Sequence, residues 1–440
     1  MSFTGKRFIK KTACAVLLPL VLACSTDEFE GVRPDERLGA TLESYEQLLS
    51  GAQHGWKAHL YPAGGGGYGF LFRFNDQNRV TMLADISTET GSSAKESSYR
   101  LKAALLPSLY FDTYSYIHLL ADPDPSVNGG EPGWGRYSDF EFAFVSVSPD
   151  TIRLKGNLSG SRLELIRADA GEAAAYAGGN LNTIRQQVAD FLQGSRFSYL
   201  EDAAGTVFST ALNLDTKTLS LVYDSAGSIT TKTVGLAFSG HNELVLSDTL
   251  RLGRLLVDRL RINSQSEELE AVWGQQSYPF WQSDRPLFPL IQLWGIQYES
   301  IRVPMEVAEQ GNGTEFDTRR AAFLQQARAM LAPGTTFPEM RLTVDRSDEL
   351  LFVNQIIRQG SSNFQANFVF SYTLDDDRFV LRYEGPADGN ATLIEGAYVP
   401  VLEGFLYGGM RFDYDLQTDN LRAWGESSGL PGFKFVGTLQ

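Results

Sequence analysis

Beyond residue 24 this sequence has no cysteine. The two it holds are Cys14 and Cys24, and Cys14 lies inside an apolar leader, so no disulfide and no cysteine-based zinc site is expected in the remainder. Thiol catalysis is excluded with them. Histidine is scarce as well: His54, His59, His118 and His241 form no HExxH pair and no other recognisable zinc spacing. No Gly-x-Ser-x-Gly elbow, phosphate loop or Gly-x-Gly-x-x-Gly fingerprint is present. After the leader, no run approaches the roughly 18 apolar residues that a spanning helix needs. Positive charge is in deficit, with 38 Lys and Arg against 53 Asp and Glu. An acidic surface repels phosphodiester backbones and anionic headgroups, which excludes nucleic acid as a partner.

What is present begins with a processing signal. Lys6, Arg7, Lys10 and Lys11 precede an apolar run from Thr12 to Ala23, and Val21-Leu22-Ala23-Cys24 reads as a lipobox. The run is too short for a stable span. It resembles bacterial lipoprotein signals, which implies removal of residues 1–23 and lipidation of Cys24. Each buried CH₂ of an acyl chain contributes about 0.8 kcal/mol, so several chains on one cysteine anchor durably. Losing four basic residues with the signal takes the net charge from −15 to −19. Residues 24–35 are polar and acidic (Ser25, Thr26, Asp27, Glu28, Glu30) and read as a flexible tether. Acidic residues just after a lipidated cysteine resemble the surface-export signal of Bacteroidetes lipoproteins. The expected location is therefore the outer membrane, lipid-anchored and facing the exterior.

The rest of the chain reads as mainly β with a few helices. Asp35 to Gln53 carries Leu38, Leu42, Tyr45, Leu48 and Leu49 at helical spacing. Short alternating strands follow, from Tyr68–Phe74 and Arg79–Leu83 through Tyr110–Leu119 to Arg162–Arg167. Ala168 to Gly179 is rich in alanine and glycine and reads as a linker. A helix is expected at Leu181–Leu192, and a third at Arg319–Leu331, each leading into strands. Ser277 to Pro289, with three prolines, reads as an irregular connection. The architecture expected is antiparallel, sandwich or barrel-like, with an N-terminal domain at 36–170 and a C-terminal one at 176–440. Within the latter, Leu269 to Gly274 echoes Leu421 to Gly425, and Phe238 to Leu246 echoes Phe370 to Leu381. These mark helix-plus-strands quasi-repeats at about 180–285 and 315–440.

Several stretches resemble a family of Bacteroidetes outer-membrane lipoproteins catalogued only as a domain of unknown function. They are His54-Gly55-Trp56, Gly67-Tyr68-Gly69-Phe70, Arg79 to Met82 with Asp85, Ser98-Tyr99, Leu109 to His118, Asp122-Pro123 and Ser138 to Phe142. The resemblance covers residues 24–260 and is densest at 54–167. It implies association with importers of the starch-utilisation (SusC/SusD) type, and it brings no established activity.

Candidate site residues concentrate between 111 and 142. Asp122, Asp124, Asn128 and Asp139 supply carboxylates and an amide oxygen of the kind Ca²⁺ takes, although the spacing is not that of an EF-hand and turns are built from the same residues. Trp134, Tyr137, Tyr114, Tyr116 and His118 are the candidate ligand contacts, weighed against the ordinary use of aromatics in strands and cores. The reading favoured is a non-catalytic surface lipoprotein that binds a peptide or glycan nutrient or docks on a TonB-dependent importer. A hydrolase using carboxylates near Asp112, Asp122 and Asp139, and a structural adhesin-like module, stay open.

Overall fold

The computed structural model describes residues 34–440 apart from 104, 105, 195, 226, 264, 267 and 419. The leader, Cys24 and nearly all of the tether lie outside the described residues. Three antiparallel units follow one another along the chain.

The first unit is a closed barrel of eight strands, each paired with its predecessor, with Trp56–Tyr61 and Arg162–Arg167 closing the circle. Alternation builds it. Successive strand side chains point to opposite faces, so Trp56, Ala58 and Leu60 share the lumen with Phe70, Phe72 and Phe74. Phe72 lies 5.2 Å from Phe70 and 5.4 Å from Phe111, ring centre to ring centre. The lumen is therefore a packed core and not a channel. The helix Pro34–Ser50 packs on the barrel. Trp56 Nε1 donates to Leu49 O (3.0 Å), and Tyr45 meets Phe144 at 4.5 Å.

The second unit is a nine-stranded meander sheet whose two end strands, Gln276–Pro279 and Trp281–Ser283, are separated only by Phe280. One half of this ribbon pairs with Leu269–Trp273 and the other with Phe197–Glu201. The sheet thus curls back on its own first strand, with Phe280 buried at the crossing. Residues 277–283, expected to be irregular, hydrogen-bond as sheet because an edge on each side offers partners.

A second closed barrel, from Ser300–Pro304 to Lys434–Leu439, forms the third unit. Helices Thr314–Met330 and Gly389–Gly404 interrupt its meander and pack on each other through Phe323 and Tyr398, whose rings stand 4.6 Å apart edge to face. The echoed segments occupy equivalent strands. Leu269–Trp273 and Arg422–Ser427 are each seventh in their unit, and each Phe-to-Leu echo runs from the fourth strand into the fifth.

Two further expectations are corrected. The segment at 168–179 is no linker: Ala170–Ala177 is a helix. Asp169 caps it and Glu172 reaches back to the Asp169 N–H, a capping box in front of four alanines, the best helix formers. The strand expected at Tyr110–Leu119 ends at Phe111. His118 sits instead on a helical turn, Tyr116–Leu119, capped by Ser115.

The outer face of the first barrel's opening strands is buried against the second unit. Leu71 and Leu83 point out of their own barrel and join the core of the second unit. Asp85 and Lys217 form an ion pair there (2.9 Å) with almost no exposure on either side chain. Asp85 Oδ2 also accepts from Phe238 N (2.9 Å), and Lys217 Nζ donates to Asp85 O as well (2.6 Å). The ammonium lies 4.4 Å from the centre of the Phe238 ring. Burial, outweighing its partner's charge, brings the Lys217 pKa down to about 8. The backbones meet at Gly69, where a β-carbon would fall 1.7 Å from Phe238 O. Lys57 pairs with Glu172 across the seam, and Tyr61 Oη donates to Val245 O (3.2 Å). His59 is buried in the same face with no partner for either ring nitrogen among the described residues, and burial, followed by nearby Lys57, lowers its pKa to about 4.

Candidate functional site

Between the fifth and sixth strands of the first barrel, Pro107–Phe111 and Glu141–Val147, the chain leaves the sheet for residues 112–140. This excursion carries most of the candidate residues. Its framework is polar and self-satisfied. Asn128 Nδ2 donates to Leu119 O (2.7 Å) and Asp122 O (2.9 Å), and Asn128 Oδ1 accepts from Gly130 N (2.7 Å). Arg136 Nε donates to Asn128 O (2.8 Å). Asp122 accepts from the Tyr114 hydroxyl and from Asp124 N, and Asp124 caps the short turn Pro125–Asn128 through Ser126 N. Those hydrogen bonds from Ser126 hold the Asp124 carboxyl below the usual range.

Asp139 lies apart from that set and is buried. Its two oxygens accept from Leu158 N (2.8 Å), Ser159 N (2.9 Å), Ser161 N (3.0 Å) and Ser161 Oγ (2.7 Å). Those four bonds tie the excursion to the turn between the seventh and eighth strands. Among the described residues no group of three or more His, Cys, Asp or Glu side chains is arranged to hold a metal ion. The four calcium candidates are therefore not gathered into one donor set: the oxygens of Asp122, Asp124 and Asn128 accept within the excursion, and those of Asp139 accept from the turn after the seventh strand. Asp112, from the hydrolase trio, pairs with Arg100 at 2.8 Å.

The aromatic candidates divide into a buried and an exposed group. Tyr116 is buried, its hydroxyl donating to Ser93 O (2.8 Å). His118 is buried too. Its Nδ1 accepts from Ser115 N and its Nε2 faces Phe111 O, both at 3.1 Å. With an N–H before Nδ1 and a carbonyl before Nε2, the ring is held neutral with its proton on Nε2. Burial lowers its pKa accordingly. The ring is a spacer, with the Tyr114 ring stacked 5.6 Å from it and Phe140 at 4.7 Å. Tyr114 is 49% exposed, and Lys95 Nζ stands 5.5 Å from its ring centre. Burial of the hydroxyl, then its bond to Asp122, pushes the Tyr114 pKa up to about 12.

Trp134 and Tyr137 stack on each other, 5.8 Å between centres and 14° between planes. Trp134 is 59% exposed. Tyr137 holds a left-handed backbone (φ 52°), a conformation that a bulky residue adopts only under constraint. The constraint is visible. Tyr137 O accepts from Ala63 N (3.1 Å) and from Ser161 Oγ (3.2 Å), so the glycine-rich loop after residue 62 holds it from behind. The excursion therefore presents Trp134, Tyr137, Tyr114 and Phe140 as exposed ring surface on a fixed backbone.

Sequence reasoning missed the seam. Asp85 and Lys217 are 132 positions apart, and nothing local marks either as half of a buried pair. The signal that was present is the spacing Gly67, Gly69 and Asp85, where glycine leaves room for a neighbouring backbone.

No curated protein matches this chain. A solved DnaN sliding clamp (DNA polymerase III subunit beta) from Bartonella birtlesii, bound to griselimycin, aligns over 89% of this chain and 91% of that one, at 10% identity and a TM-score of 0.13, which carries no argument. A family model matches residues 26–264, spanning the first barrel and six strands of the second unit. By that match the chain belongs to the family described as Domain of unknown function (DUF4302).

Proposed function

We propose that this protein is a lipid-anchored, non-catalytic binding module of the outer cell surface that captures a glycan or peptide nutrient on residues 112–140. The observation that carries the reading is the exposed aromatic surface, with Trp134 stacked on a backbone-strained Tyr137 and Tyr114 stacked on a buried His118. Rigid aromatics offer large contact area at little cost in conformational entropy, and their faces take the C–H side of a sugar ring or an apolar peptide side chain. The strained Tyr137 supports a binding role, since such strain collects where a side chain must be held in one place. The lipobox at Cys24 and the acidic tether support the location, and partnership with an importer of the SusC/SusD type fits a captured nutrient.

The test is a glycan and peptide array probed with the full, detergent-solubilised chain and with Trp134→Ala. The expected result is binding to a class of ligand that falls at least about tenfold in the variant, equivalent to about 1.4 kcal/mol. Binding that is unchanged in Trp134→Ala, or turnover of the bound ligand, overturns the proposal.

A further inference from the structure

A separate site lies where the second unit meets the third. A cavity of about 430 Å³ opens between the end of helix Asn180–Gln193, the strand Phe197–Glu201 and the loops at 297–298 and 420–421. A second cavity, of about 610 Å³, adjoins it and shares Phe191 and Gln282 as a common wall.

The walls are unusual in their chemistry. Four carboxamides line the first cavity: Gln193, Gln282, Gln297 and Asn420. Gln297 Oε1 is buried with no partner among the described residues, although its Nε2 donates to the Tyr298 hydroxyl (3.3 Å). In the adjoining cavity Gln187 Oε1 is likewise buried and has no partner among the described residues. A buried acceptor left unpaired costs about 1–3 kcal/mol, so a side-chain rotation that turns either carboxamide oxygen into its cavity to accept from a ligand's hydroxyl is favoured. The hydroxyls of Ser198 and Thr210, 2.6 Å apart, add a further pair of donors and acceptors.

Charge narrows the class. Arg196, the one cation lining the first cavity among the described residues, directs its terminal nitrogens at Thr418 O (2.9 Å) and Asp284 O (3.4 Å). The second cavity carries two carboxylates, Asp190 and Glu268. An anionic ligand is repelled by the second cavity and a cationic one by Arg196 in the first. A hydrocarbon would strand the carboxamides. Apolar ring surface is nonetheless present: Phe191 is half-buried between the cavities, and Trp281 stands 57% exposed at the second.

We infer that these adjoining cavities bind a neutral oligosaccharide, one sugar ring in each. Carboxamides offer a donor beside an acceptor, which is the pattern that adjacent sugar hydroxyls complement. Phe191 and Trp281 supply the faces on which ring C–H groups pack. The site is independent of the surface at 112–140 and depends on different side chains.

The experiment is isothermal titration calorimetry of the full chain with maltotetraose and with cellotetraose. At least one is expected to bind with a Kd tighter than about 1 mM. Trp281→Ala and Gln297→Ala are each expected to weaken that binding about tenfold or more. Trp281 is exposed, so its loss spares the fold. Failure of both sugars to bind overturns the inference. So does binding that survives both Trp281→Ala and Gln297→Ala. Binding that disappears only in Trp134→Ala overturns it too, while leaving the reading of residues 112–140 standing.

Discussion

Replacing Asp85 by alanine tests how the first two units are joined. Its side chain is fully buried and serves two partners at once, Lys217 Nζ at 2.9 Å and Phe238 N at 2.9 Å. Removing one member of a buried ion pair costs about 3–5 kcal/mol, because the other charge is left unpaired in a medium of low polarity. The Phe238 N–H loses its acceptor as well, which adds about 1–3 kcal/mol. Replacing both members by apolar residues of similar volume removes the stranded charge, so Asp85→Leu with Lys217→Met is expected to recover most of the Lys217 penalty. The assay is urea unfolding of each variant followed by tryptophan fluorescence, with limited proteolysis as an independent readout. In Asp85→Ala the seam should open first, giving a shifted or divided transition and cleavage near Lys217. A loss below about 1 kcal/mol, the worth of a surface pair, would refute the reasoning. A double variant as unstable as the single one would refute it equally.

His59 makes the same seam sensitive to acid. It is neutral and buried in the folded protein, with a pKa near 4 against 6.5 when exposed. The unfolded chain therefore binds the extra proton between those values, so the stability is complete above 6.5 and is lost as pH falls toward 4, by about 3 kcal/mol in all. Comparing urea unfolding of wild type and His59→Leu at neutral pH and at about pH 4.5 isolates this contribution, and parallel pH profiles would refute it. Asp139→Ala orphans three backbone N–H groups, so a loss of at least about 3 kcal/mol is expected, with faster exchange of the Leu158, Ser159 and Ser161 amides. Unchanged amide exchange would show that Asp139 does not pin the excursion.

Much of the β framework was legible because it is periodic. Phe70, Phe72 and Phe74 alternate with outward residues, and that alternation alone places the strand and its inner face. What was not legible depends on partners distant in the chain. Whether the strands closed into barrels or lay as sandwiches turns on the pairing of Trp56–Tyr61 with Arg162–Arg167, about which neither segment speaks alone. The helix Gly389–Gly404 carries three glycines and Pro400, all helix breakers by propensity. It forms because Ile394, Ala397, Tyr398 and Val401 bury against the third barrel, with Tyr398 stacked on Phe368 at 4.8 Å. At the candidate site, the aromatic content of 112–140 was readable. Which rings face outward was not, because a capped turn at Ser115 replaced an expected strand and turned His118 inward.

The ribbon 276–283 has a consequence for how this chain can be divided. The family match stops at residue 264, ahead of the two segments that finish the second unit. A chain cut there lacks Leu269–Trp273 and the Phe280 ribbon, leaving Leu255–Ile262 and Phe197–Glu201 each with a bare row of backbone donors and acceptors. Bare edges of that kind recruit other strands, so such a fragment invites self-association. During synthesis the same two edges wait until Ser283 has left the ribosome. The natural unit of folding therefore ends about twenty residues later than the unit that sequence comparison delineates.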